Sequence, residues 1–196
     1  MDDIIDLGHK HMADEVILMK DTVRVSVEVA AGLRRSMAKN GIRQIADFVN
    51  GMAFAGLLLQ KNYRTKDGPT SFVDTFEKNL ESYTEMMSQD KYSDVRREMM
   101  IHQIGVTEQS PTEMLVTAGL SAQDTIAEIG EEFNLSAQDV MEMITIIIAL
   151  IIASSTPRDK RDMILKGMVQ GVVEKSRVWD QLIPSDEEMF GDEDDF

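Results

Sequence analysis

Between Val140 and Ser155 the chain reads VMEMITIIIALIIASS, and no other segment limits the fold so tightly. A bilayer-spanning helix needs roughly 20 apolar residues, so this run is short for a membrane span. Glu142 also interrupts it. A helix that is hydrophobic all round has to be covered on every side, which predicts a central core helix with other helices around it. The 196 residues include only 12 Gly and 4 Pro but 15 Met, a composition of long helices rather than turn-rich sheet. The expected fold is all-α: a multi-helix bundle with a helix-turn-helix-like pair and a disordered acidic C-terminal tail.

The first third supplies a long helix. His9, Met12, Val16, Met19, Val23, Ser26, Ala30, Leu33 and Met37 fall on alternating steps of three and four, one seam of a helix suited to self-association. Val23, Val25, Val27 and Val29 alternate as in a strand, but the heptad pattern covers far more of the segment. Asn40 and Gly41 tolerate left-handed backbone and end the helix. A second helix from Ile42 to about Lys61 carries Ile45, Val49, Met52 and Leu57 on one face. Its small residues Gly51, Ala53, Ala55 and Gly56 predict burial on more than one side. Lys66-Asp67-Gly68-Pro69 marks a loop. The chain thus divides into residues 1–62, basic and helical, a helical core over 70–183, and an acidic tail over 184–196.

Further helices follow from their start signals. Thr70 can cap a helix with Phe72, Val73, Phe76, Leu80, Tyr83 and Met87 inward, and Ser93 can cap another with Val95, Met99 and Met100. Ser110-Pro111-Thr112-Glu113 starts a short helix that Gly119 closes. Two copies of one phrase come next, Leu120-Ser121-Ala122-Gln123-Asp124 and Leu135-Ser136-Ala137-Gln138-Asp139, preceded by Gly119 and Asn134. Each reads as a stop followed by a capped start, giving helices near 122–133 and 137–154. Thr156-Pro157 opens a last helix with Met163, Ile164, Met168, Val169, Val172 and Val173 inward, running towards Trp179.

Gly130, Asn134, Leu135, Val140 and Met143 have the spacing of a tight turn between two packed helices. The segment resembles the helix-turn-helix of bacterial regulators and sigma-type factors. From Glu98 to Thr156, however, there are nine acidic residues and no Lys or Arg. Phosphates are held chiefly by cations, so Asp139 and Glu142 would repel a DNA backbone and only Gln138 could read a base edge. The resemblance is therefore one of packing.

The other candidates lie at the two ends. Lys20 to Lys66 holds nine Lys and Arg against Asp21, Glu28 and Asp47. Arg34, Arg35, Lys39, Arg43, Lys61, Arg64 and Lys66 make up the candidate nucleic-acid-binding set, with Tyr63 the ring nearest them. At the other end, seven of the chain's net −15 charges fall in Ser185–Phe196. The run Glu187-Glu188-Met189-Phe190-Gly191-Asp192-Glu193-Asp194-Asp195-Phe196 resembles the acidic tips of bacterial and phage single-stranded-DNA-binding proteins. That resemblance implies docking on a partner protein, with Phe196 and Phe190 anchored and Asp192, Glu193, Asp194 and Asp195 facing cations, Met189 beside them. The chain departs from that family elsewhere, since it lacks the alternating strands of an OB-type barrel.

Without Cys, neither thiol catalysis nor Cys-ligated metal is available. His9 and His11 diverge on a helix, His102 is remote, and Glu81 and Glu85 pair more simply with Lys78 than with a metal. No phosphate loop, dinucleotide fingerprint or nucleophile elbow occurs. No cofactor, metal or enzymatic activity is expected. The N-terminus has acids where a secretory signal has cations, so the expected location is cytoplasmic. The sequence reading is a non-enzymatic interaction or adaptor protein, of the kind that serves phage or bacteria as an accessory factor in replication, transcription or assembly. Its expected partner is a protein bound through the tail, with a second copy of the chain or nucleic acid as the alternatives.

Overall fold

A computed structural model describes residues 3–63, 71–103 and 108–182, with side chains from Asp21 to Trp179 within those ranges, Gln103 excepted. The described chain forms seven α-helices: α1 (Asp3–Lys39), α2 (Ile45–Asn62), α3 (Phe72–Met87), α4 (Ser93–Met100), α5 (Thr112–Glu132), α6 (Ala137–Ser155) and α7 (Arg161–Leu182). Three single 3₁₀ turns join them, and no strand occurs among the described residues. The segments 64–70 and 104–107 and the acidic tail lie outside the described residues, so the disorder expected of the tail does too.

The apolar run is the centre of the bundle. From Val140 to Ala153 every α6 side chain is buried except Glu142, and α1, α2, α3 and α4 all pack against it. It is the one described helix long and apolar enough to cross a membrane, and protein covers most of it. Six isoleucines, Ile144, Ile146, Ile147, Ile148, Ile151 and Ile152, have at most 1% of their surface accessible. Burying each contributes about 1.5–3 kcal/mol. This core also draws on Val25 to Leu59 and on Phe72 to Trp179, so it crosses the boundary expected between residues 62 and 70.

The heptad seam is present, and the bundle itself occupies it. Ser26, Ala30, Leu33 and Met37 are buried where α1 packs on α6 and α4, so this half of the seam is closed to a second copy. His9, Met12, Val16 and Met19 lie where side chains are not described. α1 ends as Gly41 takes φ +92°, with Gly41 N donating to Ala38 O at 3.2 Å and Ile42 N to Met37 O at 2.9 Å. These two bonds satisfy the last carbonyls as a Schellman motif does.

Several helix starts differ from the expected ones. Ser71 caps α3, its hydroxyl accepting from Asp74 N at 3.1 Å, while Thr70 lies outside the described residues. Ser93 is already inside α4, which follows directly from the 3₁₀ turn at Asp90–Tyr92, so its side chain caps nothing. Ser110 does not cap α5 either; its N–H donates to the buried Asp47 carboxylate at 2.8 Å. In α7 the buried Arg161 sets the helical phase together with Leu165, Val172 and Trp179. Met163 consequently turns outward and is 70% exposed.

The largest departure is at Gly119, which does not end a helix. α5 runs unbroken from Thr112 to Glu132, through the first copy of the repeated phrase. Gly119 lies where α5 crosses α2. A Cβ there would come within 2.7 Å of Phe54 Cδ1 and 3.1 Å of Gly51 O. The glycine is needed for close approach, and Ser121, left mid-helix and exposed, caps nothing.

Candidate functional site

The second copy of the phrase forms the expected stop and start. Asn134 takes φ 50°, Leu135 N donates to Gly130 O at 2.8 Å, and Asn134 N donates to Glu131 O at 3.1 Å. Ser136 Oγ then accepts from Asp139 N at 3.1 Å, and Asp139 Oδ2 accepts from Ser136 N at 3.0 Å. Both halves of a capping box are therefore present. At Gly130 a Cβ would lie 3.0 Å from Tyr63 Oη and 3.2 Å from Val140 Cγ2, so the two helices do meet closely at the turn. Beyond it they part: α5 packs chiefly on α2, and α6 on α3 and α1. The helix in the position of a DNA reader is the bundle's own core helix, and of the positions that would face a groove Ala137 is buried while Gln138 and Glu142 are bonded to each other.

The acids of this region are held by neutral donors. Thr22 Oγ1 donates to Asp139 Oδ1 at 3.1 Å. Tyr83 OH donates to Glu142 Oε2 at 3.0 Å, and Gln138 Nε2 donates to Glu142 Oε1 at 3.0 Å. Gln138 Nε2 also reaches Thr75 Oγ1 at 3.4 Å. Burial, and then the Glu142 carboxylate, push the Tyr83 phenol above its ordinary range. The network accounts for a carboxylate inside the apolar run without any Lys or Arg nearby in sequence. It lies between α1, α3 and α6 and serves packing.

The basic set is divided by the fold. Arg34 has none of its surface accessible. Its Nε donates to Met99 O at 3.3 Å, its Nη1 to Ile42 O at 3.0 Å and its Nη2 to Arg43 O, while the guanidinium carbon lies 5.2 Å from the Phe48 ring centroid. One side chain thus ties the end of α4 to the link between α1 and α2 through three backbone carbonyls. Desolvation lowers its pKa to about 10. Arg34 is a structural residue and leaves the candidate binding set.

Arg35, Lys39 and Arg43 stay exposed and meet in a groove of about 340 Å³, lined also by Ala38, Ile101 and His102. Arg35 Nη1 is 3.6 Å from Glu98 Oε1. Lys61 is at the opposite end of α2, about 25 Å away along the helix at 1.5 Å per residue. Arg64 and Lys66 lie outside the described residues. Among the described residues, therefore, Arg35, Lys39 and Arg43 stand apart from Lys61 and do not form one stripe with it of the kind that follows a phosphate backbone. The tail residues Met189, Phe190, Asp192, Glu193, Asp194, Asp195 and Phe196 also lie outside the described residues.

Two features escaped the sequence reading. Ile101 and His102 join the basic groove from a 3₁₀ turn after α4, a placement that only the tertiary fold creates. A second groove of about 370 Å³ runs between α3 and α7, with Leu80, Leu165, Val169 and Val173 along it and Glu77, Glu81 and Lys166 beside them. Among the described residues no three His, Asp or Glu side chains converge as a metal site would require. No protein-family model, no curated protein and no solved structure matches this chain.

Proposed function

We propose that the chain is a non-enzymatic helical interaction protein, an accessory factor acting in the cytoplasm, whose body presents an acidic tail bearing Phe190 and Phe196 to a partner protein. The observation that carries this reading is the burial of α6. The one motif-like segment is used up in forming the core, and Arg34 is used up in joining three chain segments. The densest remaining run of chemically distinctive residues is Asp192-Glu193-Asp194-Asp195-Phe196. Such a segment suits a pocket that takes a ring and is rimmed by cations, because charge-assisted contacts steer and orient while the ring supplies apolar burial.

Affinity capture with the immobilised full chain tests the reading, using as control a chain carrying Asp194→Asn, Asp195→Asn and Phe196→Ala. The expected result is a protein retained by the native chain, lost with the variant and released by a free peptide of residues 185–196. A retained set identical for both chains overturns it, as does retention that nuclease abolishes.

A further inference from the structure

The groove at the end of α1 combines an apolar floor with a cationic rim. Ala38 and Ile101 form the floor, and Ile101 is 57% exposed, a large aliphatic side chain left to solvent. Arg35, Lys39, Arg43 and His102 form the rim. Lys39 and Arg43 have no ion pair among the described residues, and Glu98 engages only Arg35. Lys39 also lies in the last turn of α1, where a free cation complements the helix dipole but is not consumed by it. The groove contains no Phe, Tyr or Trp ring, and His102 is the one ring along it, so it fits an acidic segment with an apolar anchor better than a nucleic-acid strand that needs several stacking platforms.

We infer that this groove receives the chain's own C-terminal segment, with Phe196 over Ile101 and the acids of Asp192–Asp195 on Lys39 and Arg43. The body then holds the tail until a partner displaces it. The inference rests on the tail being a docking segment, and it adds a regulatory contact to that reading. Charge and hydrophobicity match, four acids and the Phe196 ring against Lys39, Arg43 and an exposed isoleucine.

Reach is sufficient. Trp179 packs edge-on against Phe54 with ring centroids 5.6 Å apart, which fixes the end of α7 beside the middle of α2. From Phe54 back to the start of α2 is about 14 Å at 1.5 Å per residue. Residues 183–196 follow α7, and when extended they span up to about 46 Å at 3.3 Å per residue. Tethering gives such a segment an effective concentration in the millimolar range, so a contact too weak to detect between separate molecules is populated within one.

The absence of Cys makes the test direct, because Gly191→Cys gives the full chain a single attachment point for a nitroxide. At low salt, amide signals of residues 35–43 and 101–102 are expected to lose intensity relative to a reduced-label control. They should recover at about 1 M salt, where the Debye length is near 3 Å. They should recover also in the same chain carrying Lys39→Glu and Arg43→Glu, both surface changes that leave the far-ultraviolet circular dichroism unchanged. Intensity loss spread evenly over the bundle, or none at all, overturns the inference. Loss that appears only in isotope-labelled chains mixed with spin-labelled ones assigns the tail to a second copy and overturns it as well.

Partner capture separates the two levels of the reading. If the tail is a docking segment held by the groove, Lys39→Glu with Arg43→Glu increases tail-dependent capture. Unchanged tail-dependent capture refutes the groove contact and leaves the docking reading intact. Intramolecular broadening without any tail-dependent capture refutes the docking reading and leaves the groove contact standing.

Discussion

The same five residues, Leu-Ser-Ala-Gln-Asp, occur twice within twenty positions and adopt two structures. At 120–124 they continue a helix, and at 135–139 they end one turn and cap the next helix. The preceding residue and the packing partner decide which. Asn134 is exposed and free to take left-handed backbone, whereas Gly119 is pressed against Phe54 and Gly51 on α2. The side chains diverge accordingly. Gln138 and Asp139 reach Glu142, Thr75 and Thr22, while among the described residues no such bonds tie Gln123 and Asp124 to the bundle. A glycine after an apolar run therefore has two physical uses, as a helix stop or as a crossing point, and only its neighbours in space distinguish them.

A similar contrast between neighbours should give the largest effect. Arg34→Met removes the donor to the buried carbonyls of Met99 and Ile42 and to the part-buried carbonyl of Arg43, and should cost about 2–4 kcal/mol in urea unfolding, since hydrogen bonds to charged groups are worth more than neutral ones. Arg35→Met removes one half-exposed ion pair and should cost under about 0.5 kcal/mol. Equal losses would mean that position in the core does not separate the two arginines.

Next in size is the helix crossing. Gly119→Val introduces side-chain atoms where Phe54 and a backbone oxygen already lie, and should destabilise by about 1–3 kcal/mol. A gain in stability, as helix propensity alone would give, would show that the α5–α2 contact is looser than described.

Tyr83 sharpens the comparison through pH, because only the second copy is tied to its network. Its phenol is held above the ordinary value of 10.0, so the neutral form is favoured in the folded state. That stabilisation is complete below the unfolded pKa. It declines as pH rises beyond it, by up to about 1.4 kcal/mol per pH unit. Tyr83→Phe should flatten this part of the alkaline decline in unfolding free energy. Tyr63, raised by burial and Glu131, supplies a smaller residue of it.

The two serines come next. Ser136→Ala should cost about 1 kcal/mol for the lost cap, and Ser121→Ala should stay within about 0.5 kcal/mol of neutral. The smallest effect is expected at Asn134→Gly, a gain of a few tenths of a kcal/mol as an αL position accepts glycine. Paired denaturation curves test both, and a cost at Ser121 matching that at Ser136 would break the comparison.

Much of the fold was legible because it follows from local chemistry. An all-round apolar run has to be central, Gly41 and Asn134 supply left-handed backbone, and Ser136 with Asp139 forms a box within four residues. The positions that misled have meanings set elsewhere in the chain. Arg34 reads as half of a surface basic pair with Arg35, although it shares the buried face of Ala30, Leu33 and Met37, which was the available signal. Met163 follows an apolar spacing whose phase is reset by Arg161. Ile101 and His102 give no sign in sequence of facing Lys39 and Arg43. The tail is distinctive in sequence as a run of like charges beside two rings, a pattern that needs no fold to be noticed.

Residue-resolved amide exchange across 112–156 tests the account most directly, because it asks whether the motif-like segment is one packed helix followed by one turn. Protection of Ala122, Gln123 and Asp124 is expected to be comparable to that of Ile126, with rapid exchange at Ala137 and Gln138, the first-turn amides that no capping group meets. Rapid exchange at 121–123 would place a helix break after Gly119, make the two copies alike, and contradict the assignment of this region to the core.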